Sequence, residues 1–285
     1  MKKTNEQWTT VIKPRYSLWE VNVREWWQYR DLIWLLVKRN FVVLYKQTIL
    51  GPAWAIIQPL LTTLIFTVVF GNIANLPTDD MPPFLFYMCG NVAWTYFQSC
   101  LTGTSQTFIG NAKVFEKVYF PRMVMPISTV LTNMITFFIQ FALFLVLMVY
   151  FLLAPGSVIH PNPGLILLTI PALVQMAVLG LGFGIIISAL TTKYRDLQML
   201  VSFGVQLWMY ATPVAYASSM IPEQYYFVYM LNPMSPIIEL FRSAYLGVNS
   251  FDPVTYLISV LTTLVVLVVG ILLFNKIEKN FIDTV

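Results

Sequence analysis

The amino-acid sequence predicts an all-α integral membrane protein with six transmembrane helices, an N-terminal amphipathic interface helix, and re-entrant outer gate helices between spans five and six. Three observations lead to this prediction: few charges, long apolar runs, and basic residues confined to one side. Of 285 residues, 58% are hydrophobic, only 11% are charged, and the mean hydropathy is +0.70. Because soluble domains carry about 25% charged residues, this chain has too few charges to cover a surface that faces water.

Residues 1–52 are expected to form a cytoplasmic N-terminal region, and residues 53–285 a six-span transmembrane domain. The N-terminal region is polar, aromatic and basic and shows no secretory signal pattern, so the first span is expected to act as its own insertion signal. Its segment from about Val23 to Tyr45 is typical of a long interfacial helix, with Trp26 and Trp27 at headgroup depth and basic side chains near lipid phosphates. Plain topogenic charge with lipid anchoring is the alternative.

Six apolar runs have the length of about 20 residues that a helix needs to cross the hydrocarbon core. They lie at about 53–71, 84–104, 124–152, 164–190, 198–215 and 253–275. When the 17 basic residues are placed on the connecting segments, all but Arg242 fall on one side. Since Lys and Arg are retained in the cytoplasm, both termini are predicted to be cytoplasmic.

A short island of charge lies between spans two and three, in the segment "NAKVFEKVYFPR" at 111–122. Its spacing predicts a helix over about 111–121, which Asn111 can cap and Pro121 ends. One side of this helix is apolar and the other carries Lys113, Glu116 and Lys117. Such a helix can lie along the membrane or insert its aromatic side, which includes Phe115 and Tyr119, into a partner.

The apolar stretch from about 219 to 247 is interrupted by Asn232, Pro233 and Pro236. Irregular backbone at membrane depth must be shielded by protein or face a water-filled cavity. We therefore expect two short helices that dip in from the outer face and return; an ordinary outer loop lying flat on the membrane is the alternative. Glu239 and Arg242 are three residues apart, so a structural ion pair is expected on the second helix.

The sequence offers no site for catalysis or for a resident metal. It has no GxxxxGK[ST] phosphate loop, and the predicted spans lack the ionisable residues that ion-coupled carriers use. Cys89 and Cys100 are predicted to be packing residues, Asp79 and Asp80 a solvated turn, and His160 a loop residue without a catalytic role. The one-sided charge argues against a nucleic-acid partner.

Glycines and aromatic residues within the spans have two competing interpretations. Gly180 and Gly184, in "LGLGFGIII", are four apart, which favours close helix packing over a dinucleotide loop. Aromatic residues make up 15% of the chain and are expected at the interfaces or in packing. Some could instead line a path for sugars, and the candidates for this are Trp54, Trp94, Tyr96, Phe97, Trp208 and Tyr210.

Four ordered segments resemble a known family. They are "LYKQTILGPAWAIIQPL" (44–60), "VYFPRMVMP" (118–126), "LGLGFGIIISALTTKYRDLQML" (179–200) and "LNPMSPIIELFRSAYLG" (231–247). Together they are similar to the membrane subunit of type-2 ABC exporters, in the branch that exports O-antigen, capsule and teichoic acid. The resemblance implies a homodimeric permease in the bacterial inner membrane, bound to two copies of a separate ATPase subunit that uses ATP and Mg, with lipid-linked polysaccharide as the cargo.

The resemblance also implies roles for particular residues. The island at 111–122 would be the coupling helix that contacts the ATPase, and the amphipathic helix would rest on the ATPase as well. Lipid-linked pyrophosphate would be received near the turn at Leu50 and Gly51, where Arg39 and Lys46 supply positive charge. Second contacts with the ATPase would be Tyr194, Arg195 and Asp196. The outer gate would include Tyr225, Tyr226, Asn232, Pro233, Pro236, Glu239 and Arg242.

The same fold could export teichoic acid, capsule, a lipid or a drug, so the cargo is open at this point. A membrane-embedded transferase and a passive channel are rival functions. Neither rival accounts for a basic aromatic island and a charged loop on one cytoplasmic face. We therefore expect a transport subunit that is not itself an enzyme.

Overall fold

Helices account for all regular secondary structure in the computed structural model, which describes residues 23–46, 48–115, 117–118, 120–191 and 196–284. The all-α prediction is confirmed for this part of the chain. Twelve α-helices occur in these ranges, and their lengths vary from a single turn to 32 residues.

The N-terminal helices form an arm along the transmembrane bundle. Helix α1 (Val23–Gln28) and helix α2 (Arg30–Tyr45) are separated by a turn at Tyr29. Leu36 of α2 is buried in a small cluster with Phe120, Val124 and Met125. The opposite side of the arm is exposed and carries Trp27, Trp34, Leu35, Val42 and Val43.

Helix α3 (Trp54–Phe66) follows a 3₁₀ turn at Gly51–Ala53 and continues as a π-helix over Thr67–Ile73. Helix α4 (Pro83–Ser105) begins with a proline, whose missing N–H costs nothing in the first turn. Two single turns, α5 (Thr107–Gly110) and α6 (Ala112–Phe115), follow α4.

Helices α7 to α12 complete the fold, and three of them (α7, α8 and α12) are long. Helices α7 (Val124–Leu152) and α8 (Pro163–Thr191) have 29 residues each. The remaining helices are α9 (Leu197–Tyr210), α10 (Glu223–Met230), α11 (Ser235–Tyr245) and α12 (Pro253–Thr284). Helix α9 ends before the predicted boundary at 215, because Pro213 disfavours helical backbone at the residue before it.

Four segments are long and apolar enough to cross a membrane: Gly51–Ile73, Val124–Leu152, Pro163–Thr191 and Pro253–Asn275. They agree with the first, third, fourth and sixth predicted spans. The other two predicted spans correspond to α4, which contains Asn91 and Gln98, and to α9, whose 14 residues rise only about 21 Å. The protein is thus an all-helical chain with at least these four spanning candidates in its described part, and the six-span count stays a prediction.

Helix α4 is the centre of the fold, and α8 crosses it at very short range. A Cβ added at Gly180 would lie 2.6 Å from Cβ of Cys100, and one at Gly184 would lie 2.9 Å from the Leu101 carbonyl oxygen. Small residues of this kind let helix backbones approach closely in a bilayer. The prediction that Gly180 and Gly184 serve helix packing is confirmed.

The other side of α8 packs against α12 in the same manner. A Cβ at Gly182 would lie 3.3 Å from Cα of Leu267, and one at Gly270 would lie 3.0 Å from the Gly182 carbonyl oxygen. Helix α8 is therefore held between α4 and α12 by glycines that alternate in direction. Cys89 and Cys100 are buried, unbridged residues of α4, as expected for packing residues.

Candidate functional site

The island at 111–122 contains less helix than the sequence predicts. Within the described residues only Ala112–Phe115 is helical, and Glu116 and Tyr119 lie outside them. The Asn111 carbonyl accepts hydrogen bonds from the N–H groups of Val114 (2.9 Å) and Phe115 (3.1 Å), while its side-chain amide donates to the Thr107 carbonyl (2.9 Å). Asn111 thus begins the turn through its backbone and ties it back to α5.

Phe115, the described residue of the aromatic side of the island, packs against the protein itself. The Phe115 ring is 5.9 Å from the Phe108 ring and 5.5 Å from the Phe120 ring, centroid to centroid. Phe108 in turn lies 5.4 Å from Phe274 of α12. Lys117 of this segment has an exposed side chain. The Lys113 side chain lies outside the described part of the chain.

The second charged loop is described only at its end. Tyr194 and Arg195 lie outside the described residues. Asp196 is exposed and precedes α9, where its carbonyl accepts a hydrogen bond from the Met199 N–H (3.1 Å). The structure therefore places one of the three predicted residues of this loop on an accessible surface.

The turn between α2 and α3 is open. Leu50 is exposed, and Gly51 has φ +52°, a left-handed backbone that glycine adopts without steric cost. A Cβ at Gly51 would meet no atom within 4 Å. Lys46, at the end of α2, and Arg39 are also exposed, and the Arg39 guanidinium donates to Oδ1 of Asn40 (3.1 Å). The predicted cationic surroundings of this turn are thus accessible.

On the side opposite the island, α10 and α11 form a helical hairpin. Tyr225 and Tyr226 of α10 are exposed, whereas every residue of α11 is buried. Pro236 lies in the first turn of α11, and the Pro233 carbonyl accepts a hydrogen bond from the Ser259 hydroxyl of α12 (2.6 Å). The hairpin is therefore packed into the bundle along its second helix.

The expected ion pair between Glu239 and Arg242 is wrong, because each side chain binds other groups. Arg242 is 2% exposed, and its guanidinium donates to the carbonyls of Val214 (3.0 Å) and Tyr216 (3.2 Å). The Tyr229 hydroxyl donates to Oε1 of Glu239 (2.8 Å). Burial raises the pKa of the Glu239 carboxyl, and the nearby hydroxyls and the positive charge of Arg242 only partly oppose that rise.

Asp79 and Asp80 form a turn in which both residues have positive φ, 50° and 61°. Asp80 is exposed, and Oδ1 of Asp79 accepts a hydrogen bond from the Ser219 hydroxyl (2.8 Å). In the described part of the chain, no group of three or more His, Cys, Asp or Glu side chains could hold a metal ion. Asp79 therefore ties the loop before α4 to the segment after α9.

The six aromatic candidates for a sugar path separate into two groups. Trp94, Tyr96 and Phe97 are buried within the core around α4, where nothing outside the chain can reach them in this conformation. Trp208 is half-buried against them. Trp54 and Tyr210, by contrast, are 44% and 48% exposed.

Two exposed stripes of mixed polar and aromatic residues, which the sequence reasoning missed, lie on α3 (Trp54, Gln58) and on α9 (Ser202, Gln206, Tyr210). Gln58 of α3 is exposed one turn after Trp54, and Ser202 and Gln206 of α9 are exposed in the two turns before Tyr210. Polar side chains are unfavourable against lipid, so such stripes face protein or a water-filled space. The signal was present in the sequence as polar residues four apart within apolar runs.

Comparison with known proteins supports one family. The model of the ABC-2 type transporter family matches residues 31–246, well over half of the chain. An O-antigen export system permease protein of Klebsiella pneumoniae is 30% identical over 256 residues, covering 89% of this chain and 94% of that protein. A protein of the same description from Myxococcus xanthus is 31% identical over 221 residues, covering 78% and 81%. The polysialic acid transport protein of Escherichia coli is 24% identical over 236 residues, covering 82% and 89%.

Proposed function

The chain belongs to the ABC-2 type transporter family, and we propose that it is the permease subunit of an ATP-driven exporter of lipid-linked, O-antigen-like polysaccharide in the bacterial inner membrane. The observation that carries this proposal is similarity to O-antigen export permeases over 89% and 78% of the chain, in a chain whose long helices are apolar. The subunit is not itself an enzyme. ATP hydrolysis, with its Mg, belongs to a separate ABC ATPase subunit.

We propose six spans with both termini in the cytoplasm, in which α4 and α9 supply the two spans beyond the four long apolar segments. Helix α4 is enclosed by other helices, so its polar residues are shielded from lipid. Helix α9 is short and exposed, which suits a helix that faces a second copy of the chain or a wet path. We also propose a homodimer bound to two ATPase subunits, as the resemblance to the family implies.

The segment 111–121 is the proposed coupling element for the ATPase, together with Tyr194, Arg195 and Asp196. Its support is the packing of Phe115, whose ring contacts Phe108, which in turn contacts Phe274 of α12. The Phe115 ring also contacts Phe120, which is buried in one cluster with Leu36 of α2 and Val124 of α7. A push on the exposed tip at Lys117 would therefore be passed to several helices at once.

Charge reversal by Glu116→Arg is expected to weaken the complex with the ATPase by about tenfold, ~1.4 kcal/mol, and Tyr119→Ala to weaken it similarly. The measurement is co-purification with the ATPase and stimulation of its ATP turnover. Asp80→Arg is the matched control, since it reverses an exposed charge on the opposite loop. If both island variants behave like wild type while the subunit stays folded, the coupling proposal fails.

The turn at Leu50 and Gly51 is the proposed place where the pyrophosphate end of the lipid-linked glycan is received. Its support is an open, left-handed backbone turn that follows the exposed Lys46, with the exposed Arg39 about two turns earlier on α2. The exposed stripe of α3 begins directly after this turn with Trp54. A cargo bound here would therefore already touch the surface along which it is to travel.

We propose that the glycan path runs along the exposed stripes of α3 and α9. Amide and hydroxyl groups there can hydrogen-bond to sugar hydroxyls, and Trp54 and Tyr210 offer ring faces for the apolar faces of sugars. Tyr225 and Tyr226 lie on the exposed helix of the outer hairpin, which is the proposed outer gate. Capsule polysaccharide is the alternative cargo, favoured by the similarity to the polysialic acid transport protein.

Gln206→Trp is expected to reduce glycan export several-fold by filling the path, while leaving complex assembly and thermal stability close to wild type. The measurement is surface glycan in cells that lack the native gene. Leu257→Trp on α12 is the control, because Leu257 is equally exposed but lies on a wholly apolar face. Equal export by the two variants would remove α9 from the path.

A further inference from the structure

The tip of the outer hairpin holds a half-buried hydrogen-bond junction centred on the side chain of Asn232. Its Oδ1 accepts hydrogen bonds from Nε1 of Trp208 (3.0 Å) and from the Met234 N–H (3.1 Å). Its Nδ2 donates to the hydroxyl of Thr212 (2.8 Å). Its Nδ2 also donates to the Ala211 carbonyl (3.4 Å), so both ends of the amide are engaged and three of the four partners belong to α9 or to the residues that follow it.

Trp208 connects this junction to the centre of the fold. Its ring lies 5.2 Å from the ring of Phe97 on α4 and 5.1 Å from the ring of Phe183 on α8, both edge to face. Edge-to-face pairs of this kind add about 0.5–1.5 kcal/mol each beyond the area they bury. The outer end of α9 is therefore fixed both to the core and to the hairpin tip.

The hairpin is in turn fixed to α8 and α12. The Ser259 hydroxyl donates to the Pro233 carbonyl (2.6 Å) and accepts a hydrogen bond from Nε2 of Gln175 (2.7 Å). The hydroxyls of Thr169 and Tyr245 are 3.0 Å apart. Separating the hairpin from either helix would break hydrogen bonds that water cannot replace at a buried position.

The rest of α9 is held far more loosely than its outer end. Val205 is its one residue in the buried core, and a Cβ added at Gly204 would meet no atom within 4 Å. Met199, Leu200 and Phe203, near the opposite end, are strongly exposed. Along the rest of its length α9 packs on its own chain mainly through Val201 and Val205, so it can swing about the fixed end.

We propose that Asn232 is a positioning residue that makes the outer end of α9 a fixed pivot, so that α9 and the outer hairpin stay joined throughout the transport cycle while the cytoplasmic end of α9 swings. This rests on the proposed function only in that the chain is taken to be driven by an ABC ATPase. It adds that the outer opening does not arise by separation of α11 from α9.

The test replaces the hydrogen bond with a covalent bond. The variant Thr212→Cys/Asn232→Cys is made in a background carrying Cys89→Ala and Cys100→Ala, so that no other thiol competes. The Asn232 amide and the Thr212 hydroxyl form a 2.8 Å hydrogen bond, so the two side chains are adjacent. A short bifunctional thiol reagent spans this separation, and oxidant is used in parallel to form the disulfide where the two Cβ atoms approach closely enough. ATP turnover is measured in the purified permease–ATPase complex in nanodiscs, with and without oxidant, and glycan export is measured in cells.

A pivot predicts that the reduced double variant couples poorly, with several-fold lower stimulated ATP turnover, and that oxidation restores turnover to near the background level. Inhibition on oxidation would overturn the proposal, because it would mean that α9 and α11 must separate. Wild-type turnover in both states would overturn it too, because the junction would then have no role. ATP turnover is measured without the glycan, so it tests the pivot whatever the cargo is. A wrong cargo assignment would affect only the measurement of glycan export in cells.

A second variant separates the loss of one hydrogen bond from a loss of folding. Trp208→Phe keeps the ring contacts with Phe97 and Phe183 and removes only the N–H donor to Asn232. The unfolding temperature of Trp208→Phe is expected to lie within a few degrees of wild type, whereas its stimulated ATP turnover is expected to fall. For the oxidation experiment, single Cys variants treated with oxidant give the baseline ATP turnover. Unchanged coupling in a folded Trp208→Phe complex would contradict the pivot.

Discussion

Replacing Gly184 with leucine is expected to abolish folded protein. A Cβ at this position would collide with the Thr104 side chain and lie 2.9 Å from the Leu101 carbonyl oxygen, which is backbone and cannot rotate away. The two central helices, α4 and α8, would have to separate, and all the packing around α4 depends on their contact. Size-exclusion chromatography of a fluorescent fusion in mild detergent should show loss of the monodisperse peak.

Alanine gives a graded form of the same experiment. Overpacking of a tight interface costs about 1–3 kcal/mol, whereas Gly→Ala within a helix gains about 1 kcal/mol from helix propensity. We therefore expect Gly184→Ala to lower the apparent unfolding temperature and Gly204→Ala, a glycine with open space around it, to leave it unchanged or raise it. Equal effects at the two glycines would show that the short approach of α8 to α4 is not what stabilises the fold.

The long helices could be predicted from the sequence because their signal is local. Spans predicted at 124–152 and 164–190 correspond to Val124–Leu152 and Pro163–Thr191, and the run at 84–104 corresponds to Pro83–Ser105. Each is a long apolar run closed by proline or by a polar loop, so chain length and hydropathy suffice to define it. The glycines at 180 and 184 carried a further local signal, their spacing, and this too was interpreted correctly.

The end of α9 carries a local signal in Pro213, but the irregular segment that follows it depends on a residue distant in sequence. The apolar run continues beyond Tyr210, but the backbone from Thr212 to Ala217 is irregular. Buried irregular backbone needs hydrogen-bond partners, and two of its carbonyls receive them from Arg242, 26 and 28 residues further along the chain. Hydropathy alone cannot distinguish such a segment from the last turns of a span.

The candidate site shows the same division between local and distant information. Exposed charges at Lys46 and Lys117 follow from composition. The inward orientation of Phe115 and the burial of Trp94, Tyr96 and Phe97 do not, since an aromatic residue suits a core, an interface or a sugar path equally well by type. Only the packing of α4 against its neighbours decides among these, and that packing is set by residues on other helices.

Arg242→Met is expected to destabilise the folded protein by about 2–4 kcal/mol. Methionine fills a similar volume against Phe86 but donates no hydrogen bond, so the carbonyls of Val214 and Tyr216 lose their partner. Hydrogen bonds to a charged group are worth about 1.5–3 kcal/mol each. Removing a buried charge recovers part of its desolvation cost, and we expect the lost bonds to outweigh that recovery. Thermal unfolding of the purified subunit measures the difference.

Glu239→Gln is the matched variant, because the amide oxygen can still accept the Tyr229 hydroxyl. Burial raises the pKa of the Glu239 carboxyl, so its folded-state pKa lies above its unfolded value and its contribution to stability is lost as pH rises through that range. The wild type should therefore lose stability relative to Glu239→Gln as pH rises from acid to neutral.

Because Arg242 is the positive charge that favours ionised Glu239, the double variant Glu239→Gln/Arg242→Met should be less destabilised than the sum of the two single effects, by about 1 kcal/mol. Strict additivity would mean that the two buried charges, although one turn apart on α11, do not interact.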